Sequence, residues 1–216
     1  MLIQGQVGPT STQSVSAGST PPMRLGQQGD VIVTELHGRY YEQAYRGNMF
    51  TTSVPTAAAV TAYSGGAGGT PMIALYNPAG SNKNAVILQS SIANVVAASA
   101  AGTVTFGLYY GQTAAITAAL TAAQQPYSML TQRQSGSAMY TFVNSAITSS
   151  TAATAVLPLS TYYWATAAGA FMVPPAIVDH NGSIIIPPGA YVALGGSAAL
   201  TSATWIGSLT WEEVPL

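Results

Sequence analysis

Short apolar runs separated by turn-forming residues dominate the chain beyond Gly47. The runs read NMFTTSV, PMIALY, NAVILQSSI, GTVTFGLYYG, TYYWATAA, GSIIIPPGAYVAL and SATWIGSLTWEE, and between them stand SGGAGG, NPAGSNKN, QSGS, DHNG and PPG. Many short strands punctuated by glycine, proline and asparagine are typical of a β-sandwich or a β-barrel. Helical crossovers are too few for a parallel α/β sheet, so the pattern predicts an all-β domain.

The C-terminal run, ATWIGSLTWEE, alternates between two faces of a strand. Because successive strand side chains point in opposite directions, one face carries Trp205, Gly207, Leu209 and Trp211, and the other carries Ile206, Ser208 and Thr210. Two tryptophans on one face indicate anchors of a core or of an interface.

Residues 34–48, TELHGRYYEQAYRGN, hold four of the chain's eleven charged residues, with alternating sign. These four are Glu35, Arg39, Glu42 and Arg46. On a helix they fall within about 60° of one another, and both i,i+4 pairs place the acid first, which is the favoured order. We therefore predict a short helix near 35–46, with Gly47 following its end. The segment TAAITAALTAAQQ is a second candidate helix.

Residues 1–23 consist largely of Gly, Ser, Thr, Gln and Pro. A segment of this composition cannot bury enough apolar surface to order itself, which predicts an extended N-terminal arm. A chain of 216 residues fits one domain. We predict an arm over 1–29 and a single β-sandwich domain over 30–216, which includes the short helix.

The charged fraction, 5%, is far below the roughly 25% of ordinary globular domains. A net charge of -1 gives no field that would attract nucleic acid or an anionic membrane, so neither is expected as a direct partner. The uncharged stretches 84–132 and 134–178 contain too much Ser, Thr, Gly, Gln and Asn for a membrane-spanning helix. A surface this poor in charge does little to keep neighbouring copies apart, which suits a chain covered by its own copies or by a larger particle.

Groups that catalysis or metal binding would require are sparse. The histidines are His37 and His180, cysteine is absent, and no serine lies in a G-x-S-x-G elbow. Asp179 and His180 stand in DHNG, which is typical of a turn in which Asp and Asn bond their own backbone. Glu212 and Glu213 are adjacent on a strand, so they point to opposite faces and indicate a charged strand terminus. We predict no enzymatic activity, no catalytic residue, no cofactor and no metal site.

The predicted helix and its tyrosines form the candidate interface. Its members are Glu35, Arg39, Tyr40, Tyr41, Glu42, Tyr45 and Arg46. In a nearly uncharged protein one stripe of alternating charge can fix the register between copies, because a mismatch places like charges together. A solvated helix face is the alternative interpretation. The segments RYYEQAY, LYY and TYYWA can likewise belong to a core, an interface or a ligand-stacking surface, and the residues leave these three open.

Four segments, GDVIVTELHGRYYEQAYRGNMFT, ALYNPAGSNKNAVIL, GSIIIPPGAYVAL and TWEEVPL, resemble virion structural proteins of tailed bacteriophages, of the minor capsid, cement or head-decoration type. The resemblance spans 30–216, and its motifs are structural rather than catalytic. It implies a jelly-roll β-domain, a homo-oligomer that is commonly a trimer, and an arm that contacts the capsid. It identifies no binding residue.

The resemblance and the composition together predict a non-enzymatic virion protein that cements or decorates the phage head through subunit contacts. Its expected partners are copies of itself and the major capsid protein of the same virion. The first residues lack the basic and apolar regions of a signal peptide, so we expect synthesis in the host cytoplasm. The alternatives are a head-fibre or receptor-binding protein that recognises a host glycan, and a major shell-forming protein.

Overall fold

The computed structural model describes residues 5–6, 23–24, 39–63, 65, 68–98, 101–112, 116, 124–134, 136–148, 152–153, 155–164, 174–199 and 203–216. The chain divides into two units, Met1–Tyr41 and Glu42–Leu216. In the first unit, strand β1 (Gly5–Gln6) pairs in parallel with strand β2 (Met23–Arg24). The rest of the predicted arm, 1–29, lies outside the described residues.

Beyond residue 40 the described chain is mostly β-strand. One short helix, α1, covers Tyr41–Tyr45. The strands that follow are β3 (Met49–Ser53), β4 (Ala58–Ala59), β5 (Gly68–Gly69), β6 (Ile73–Asn77), β7 (Lys83–Val96), β8 (Gly102–Gln112), β9 (Tyr127–Ser128), β10 (Tyr140–Val143), β11 (Ile147–Thr148), β12 (Ala155–Trp164), β13 (Ala176–Ile186), β14 (Ala190–Gly196) and β15 (Thr204–Pro215). The predicted all-β class is confirmed.

Two antiparallel sheets form a sandwich-like arrangement in the second unit. The five-stranded sheet has the order β10-β6-β14-β8-β12. The six-stranded sheet has the order β13-β7-β15-β3-β9, and β4 also pairs with β15. Its central strands, β7 and β15, pair over nearly the full length of both, with register shifts between Thr204 and Trp205 and between Thr210 and Trp211.

The space between the sheets is filled by one apolar core with aromatic side chains at its centre. The Trp205 ring centroid lies 4.6 Å from that of Phe106 and 4.9 Å from that of Tyr162, so β15 contacts two strands of the opposite sheet. Trp211 is also fully buried, whereas Ile206 points outward and is exposed. The alternation predicted for ATWIGSLTWEE is confirmed.

A second apolar cluster covers the outer face of the five-stranded sheet. Tyr63 meets Tyr109 edge-on in this cluster, with ring centroids 5.1 Å apart. Burial raises the pKa of the Tyr63 hydroxyl, and the neighbouring Tyr191 raises it further. Every residue of β14 is buried, whereas burial alternates along β15. The centre of the five-stranded sheet is therefore covered on both faces, and the six-stranded sheet keeps an exposed outer face.

Helix α1 is shorter than the helix predicted near 35–46. Within the described residues, Arg39 and Tyr40 form a turn before it and Arg46 lies in a turn after it. Gly47 follows with φ +74°, a left-handed conformation that glycine adopts without steric cost and that commonly ends helices. Three turns are marginal for a helix on its own, which explains the short span. Residues 35–38 and most of TAAITAALTAAQQ lie outside the described residues.

Candidate functional site

The outer face of the six-stranded sheet is the candidate functional site. Its exposed aliphatic side chains include Val95, Ile177, Ile185, Ile206 and Val214. Serine, threonine and glutamine occupy many of the other outward positions on β3, β7 and β15. From the spacing and rise of its strands the face measures roughly 750 Å², close to the ~800 Å² that one partner of a standard interface buries. Exposed aliphatic clusters of this kind mark interaction surfaces.

A row of serines crosses this face. Ser208 on β15 pairs in register with Ser53 on β3 and with Ser91 on β7, and Ser91 pairs in turn with Ile177 on β13. The Ser91 and Ser208 hydroxyls are hydrogen-bonded at 2.7 Å. Because serine side chains are shorter than those beside them, the row forms the floor of a depression, which we call the serine trough.

The serine trough has a volume of about 390 Å³. Its walls include Val54, Pro55, Pro175, Ile177 and Ile206, and the described residues that line it are all uncharged. The Val54 N–H donates to the Gly207 carbonyl at 2.9 Å, and Pro55 next to it has no N–H to continue the sheet. The chain leaves the six-stranded sheet at Pro55, and there it closes one end of the trough.

Two carboxylates lie on the same face, away from the trough floor. Asp179 is two residues beyond Ile177 on β13, about 7 Å along the strand, and its Oδ1 accepts a hydrogen bond from the Asn181 N–H at 3.1 Å. Glu212 is four residues beyond Ser208 on β15. Burial raises the pKa of the Glu212 carboxyl. Both charges are acidic, so the face favours a partner that brings a cation.

The described part of the predicted interface is rich in tyrosine, and most of it is exposed. The guanidinium carbon of Arg39 lies 5.2 Å from the ring centroid of Tyr40, a cation–π contact. Tyr41, Tyr45 and Arg46 are all exposed, Tyr45 at 64%. Within the second unit, Arg46 is three residues before Met49, where β3 begins, so it lies near the start of that strand.

The acidic half of the predicted stripe is not described. Glu35 lies outside the described residues, and so does the side chain of Glu42. The ion pairs expected with Arg39 and Arg46 therefore stay predictions.

A buried carboxylate occupies the position for which the sequence predicted a charged strand terminus. Glu213 is only 1% exposed, and the Lys83 ammonium lies 3.0 Å from its Oε2. The Ser137 hydroxyl donates to Oε1, and the Ala138 N–H donates to both oxygens. Glu212, on the opposite face, stays half-buried. The interpretation was wrong for Glu213 because the register of β7 and β15 brings Lys83 beside it from far away in the sequence.

The DHNG segment lies inside β13 rather than between strands. The register of β13 against β7 shifts between Asp179 and Ile184, and Asn181 and Gly182 have φ values of +52° and +77°. The Asn181 N–H bonds the Asp179 side chain, as the turn chemistry predicted. The segment is therefore a bulge that interrupts a strand.

His180 points inward from this bulge. Its Nε2 lies 2.9 Å from the Ser90 hydroxyl oxygen, within hydrogen-bonding distance. Burial lowers the pKa of His180, and the charge of Asp179 opposes that effect in part. Ser90 is 1% exposed, which keeps a substrate away from its hydroxyl. The pair is a buried structural contact.

Replacing His180 with glutamine should flatten the pH dependence of stability below neutral pH. Because the folded-state pKa is below the ordinary value of 6.5, the unfolded chain takes up the proton first, and wild-type stability falls as the pH drops through 6.5. Urea unfolding at a series of pH values gives the change in the free energy of unfolding with pH for the wild type and for the variant. Both proteins contain His37, so its contribution to that pH dependence is the same in each. Equal slopes would contradict the assignment.

The TYYWA segment divides between core and surface. Tyr162 packs edge-on against Phe106 and contacts Trp205. Tyr163 is 69% exposed on the edge strand β12, and the side chain of Trp164 is not described. Among the side chains of this segment that the structure describes, Tyr163 is the exposed aromatic ring, and one ring is a narrow stacking surface for a glycan.

Comparison with known proteins assigns no family. No protein-family model and no curated protein sequence matches the chain. Among the residues that the structure describes, no three His, Asp or Glu side chains come close enough to hold a metal ion. No helix in those same ranges is long and apolar enough to cross a membrane. The fold and its exposed face are the observations from which a function can be inferred.

Proposed function

We propose that this chain is a non-enzymatic structural protein of a tailed-bacteriophage virion, a cement or decoration protein that stabilises the head through subunit contacts. Its partners would be copies of itself and the major capsid protein. The sequence resemblance suggests a trimer. The order of strand pairs and the exposed sheet face support the proposal.

The nesting of the strand pairs carries the proposal. In chain order the main strands are β3, β6, β7, β8, β12, β13, β14 and β15. The first of these strands pairs with the last, β3 with β15. The pairs nested inside it are β6 with β14, β7 with β13 and β8 with β12. A ribbon of antiparallel pairs wrapped in this way is the pattern of a jelly roll, which is common in viral capsid domains and in lectins. We therefore infer jelly-roll connectivity for the sandwich.

The outer face of the six-stranded sheet supports an assembly role. A cement protein bridges neighbouring subunits, so it needs a wide surface that can be buried without leaving many charged side chains unpaired. This face carries aliphatic and hydroxyl side chains, with Asp179 and Glu212 as its carboxylates. The low charge of the whole chain fits the same role. Few like charges would face one another when subunits pack closely, so their electrostatic repulsion would be small.

The lectin use of the same strand order supports a second candidate, a head-fibre or receptor-binding protein. Tyr163, on the exposed edge of the five-stranded sheet, is the described residue best placed to stack on a sugar. This candidate has the weaker support, because Tyr162 beside it is part of the core.

Particles of the virus that encodes this chain test the proposal. Virions assembled without the chain should release their DNA at a lower temperature than complete virions, because the bridging contacts are lost, and the purified chain should restore the higher temperature when added back. The measurement is the fluorescence of a DNA-binding dye during heating, with heat-denatured chain as the control. Equal release temperatures with and without the chain would contradict a cement role.

A further inference from the structure

We propose that the turn at 129–134 of one copy docks on the outer face of the six-stranded sheet of a second copy, so that copies join head to tail. Leu130 would lie against the wall of the serine trough at Ile177, and the Arg133 guanidinium would pair with Asp179. The inference rests on the proposed function, and it names the surfaces through which copies associate.

The turn at 129–134 directly follows β9, at one edge of the sheet. The Ser128 N–H donates to the Arg133 carbonyl at 2.9 Å, and the Gln132 N–H donates to the Ser128 carbonyl at 2.8 Å. Every residue of the turn is exposed. The turn therefore presents its side chains from a backbone that is already held by hydrogen bonds, which lowers the ordering cost of association.

Among the basic side chains that the structure describes, Arg133 is the one left for an acidic partner. The chain has five basic residues. Lys83 holds a buried carboxylate, and the side chain of Arg24 is not described. Arg39 and Arg46 have interactions within their own chain. No carboxylate among the described residues forms an ion pair with Arg133, whose side chain is exposed.

Asp179 is the carboxylate that suits this arginine. Its Oδ1 accepts one hydrogen bond, from the Asn181 N–H at 3.1 Å, and an ionised carboxylate can accept several. Asp179 is exposed, whereas Glu212 is half-buried and burial raises the pKa of its carboxyl. A bidentate pair with arginine requires a carboxylate that is ionised and accessible, which favours Asp179 over Glu212.

The apolar part of the turn matches the trough beside Asp179. Leu130 is 49% exposed and three residues from Arg133, so the two are at most about 10 Å apart along the chain. Ile177, on the trough wall, is 64% exposed and about 7 Å along β13 from Asp179. These spacings allow both contacts at once. Two serine hydroxyls on the trough floor bond each other at 2.7 Å, which lowers the cost of covering them with an apolar side chain.

The two surfaces lie at opposite edges of the same sheet, so one copy cannot join them by itself. The turn follows β9, and Asp179 is on β13, the strand at the other end of the order β13-β7-β15-β3-β9. The separation across the sheet is about 19 Å, beyond the length of an arginine side chain. A contact between two different patches is heterologous, and it repeats from copy to copy until the rotation closes a ring.

Charge reversal tests the interface on the full chain. The wild type should have a mass that is a multiple of 22.0 kDa. Arg133→Glu and Asp179→Lys should each raise the concentration at which it dissociates by about tenfold or more, because like charges then face each other. The double variant restores opposite charges and should assemble nearly as well as the wild type. Ile177→Ser, which removes the apolar wall, should also weaken assembly.

Light scattering after size exclusion, over a dilution series, gives the masses, and circular dichroism checks that each variant is folded. Two controls should keep the wild-type mass. Arg133→Lys retains the positive charge of the turn, and Ala79→Glu adds a charge at an exposed position outside both surfaces.

Three results would overturn the interface: a wild-type mass of one chain at every concentration, an Arg133→Glu variant that assembles like the wild type, or a double variant no better assembled than the single ones. None of them bears on whether virions lose stability without the chain. Conversely, rescue by the double variant together with virions that do not need the chain would support this interface and contradict the cement role.

Discussion

Replacing Trp205 with alanine should lower the free energy of unfolding by about 3–5 kcal/mol, the cost typical of removing a large aromatic side chain from a core. Trp205 is fully buried and belongs to β15 of the six-stranded sheet. Its neighbours Phe106 and Tyr162 belong to β8 and β12 of the other sheet, with ring centroids within 5 Å. Alanine would leave a cavity between the sheets at the point where both contribute aromatic rings.

Urea unfolding of the wild type and the variant measures this loss. Trp205→Phe keeps a ring in the same place and should lose less than the alanine variant. Tyr163→Ala removes an aromatic side chain of similar class from an exposed position, so it should change the free energy by no more than about 0.5 kcal/mol. A loss below about 1 kcal/mol for Trp205→Ala would show that the two sheets do not pack through this residue.

The adjacent residues Glu212 and Glu213 should respond to glutamine substitution with opposite sign. Glu213→Gln removes the charge that Lys83 faces and places an amide where two donors already point, so the free energy of unfolding should fall by about 2 kcal/mol. Glu212→Gln should make the protein slightly more stable at neutral pH. Burial raises the pKa of Glu212 in the folded state, so its carboxyl contributes stability below its ordinary value of 4.5 that is lost as the pH rises through the folded-state pKa.

Each glutamate variant serves as the control for the other, because the two changes are chemically identical and one residue apart. Denaturant unfolding at pH 7 and at about pH 4 measures both. The advantage of Glu212→Gln should shrink at the lower pH, where the wild-type carboxyl is mostly protonated in both the folded and the unfolded state. Equal losses for the two variants at pH 7 would contradict the paired, fully buried environment of Glu213 and the half-buried one of Glu212.

The alternation of ATWIGSLTWEE was enough to predict which face of the last strand is buried, because side-chain period is a local property of a strand. The bond between the Asp179 side chain and the Asn181 backbone in DHNG was also predicted correctly, but the segment was expected in a turn and lies in a bulge inside β13. A bulge and a turn use the same positive φ values. In a bulge the chain continues along the same neighbouring strand, whereas in a turn it reverses, and the local sequence does not specify which of the two occurs. The short helix was placed to within one residue at its C-terminal end, where Gly47 gives a local signal.

The candidate site could not be predicted, since it depends on pairing between distant segments. The serine trough requires Ser53, Ser91 and Ser208 to lie in one row, and each is on a different strand. The Glu213 cluster similarly requires Lys83 and Ser137 to meet the end of β15. Serines on outward strand positions are common, so no pattern within any one segment marks these as a binding surface.

The copy number of this chain in purified virions tests most directly whether it is a structural component of the particle. Quantitative mass spectrometry of gradient-purified particles, calibrated with labelled peptides from this chain and from the major capsid protein, gives that number. A structural role predicts a fixed ratio between the two proteins that survives repeated purification and high salt. Trace amounts that vary from one preparation to the next, or complete absence from the particles, would contradict it.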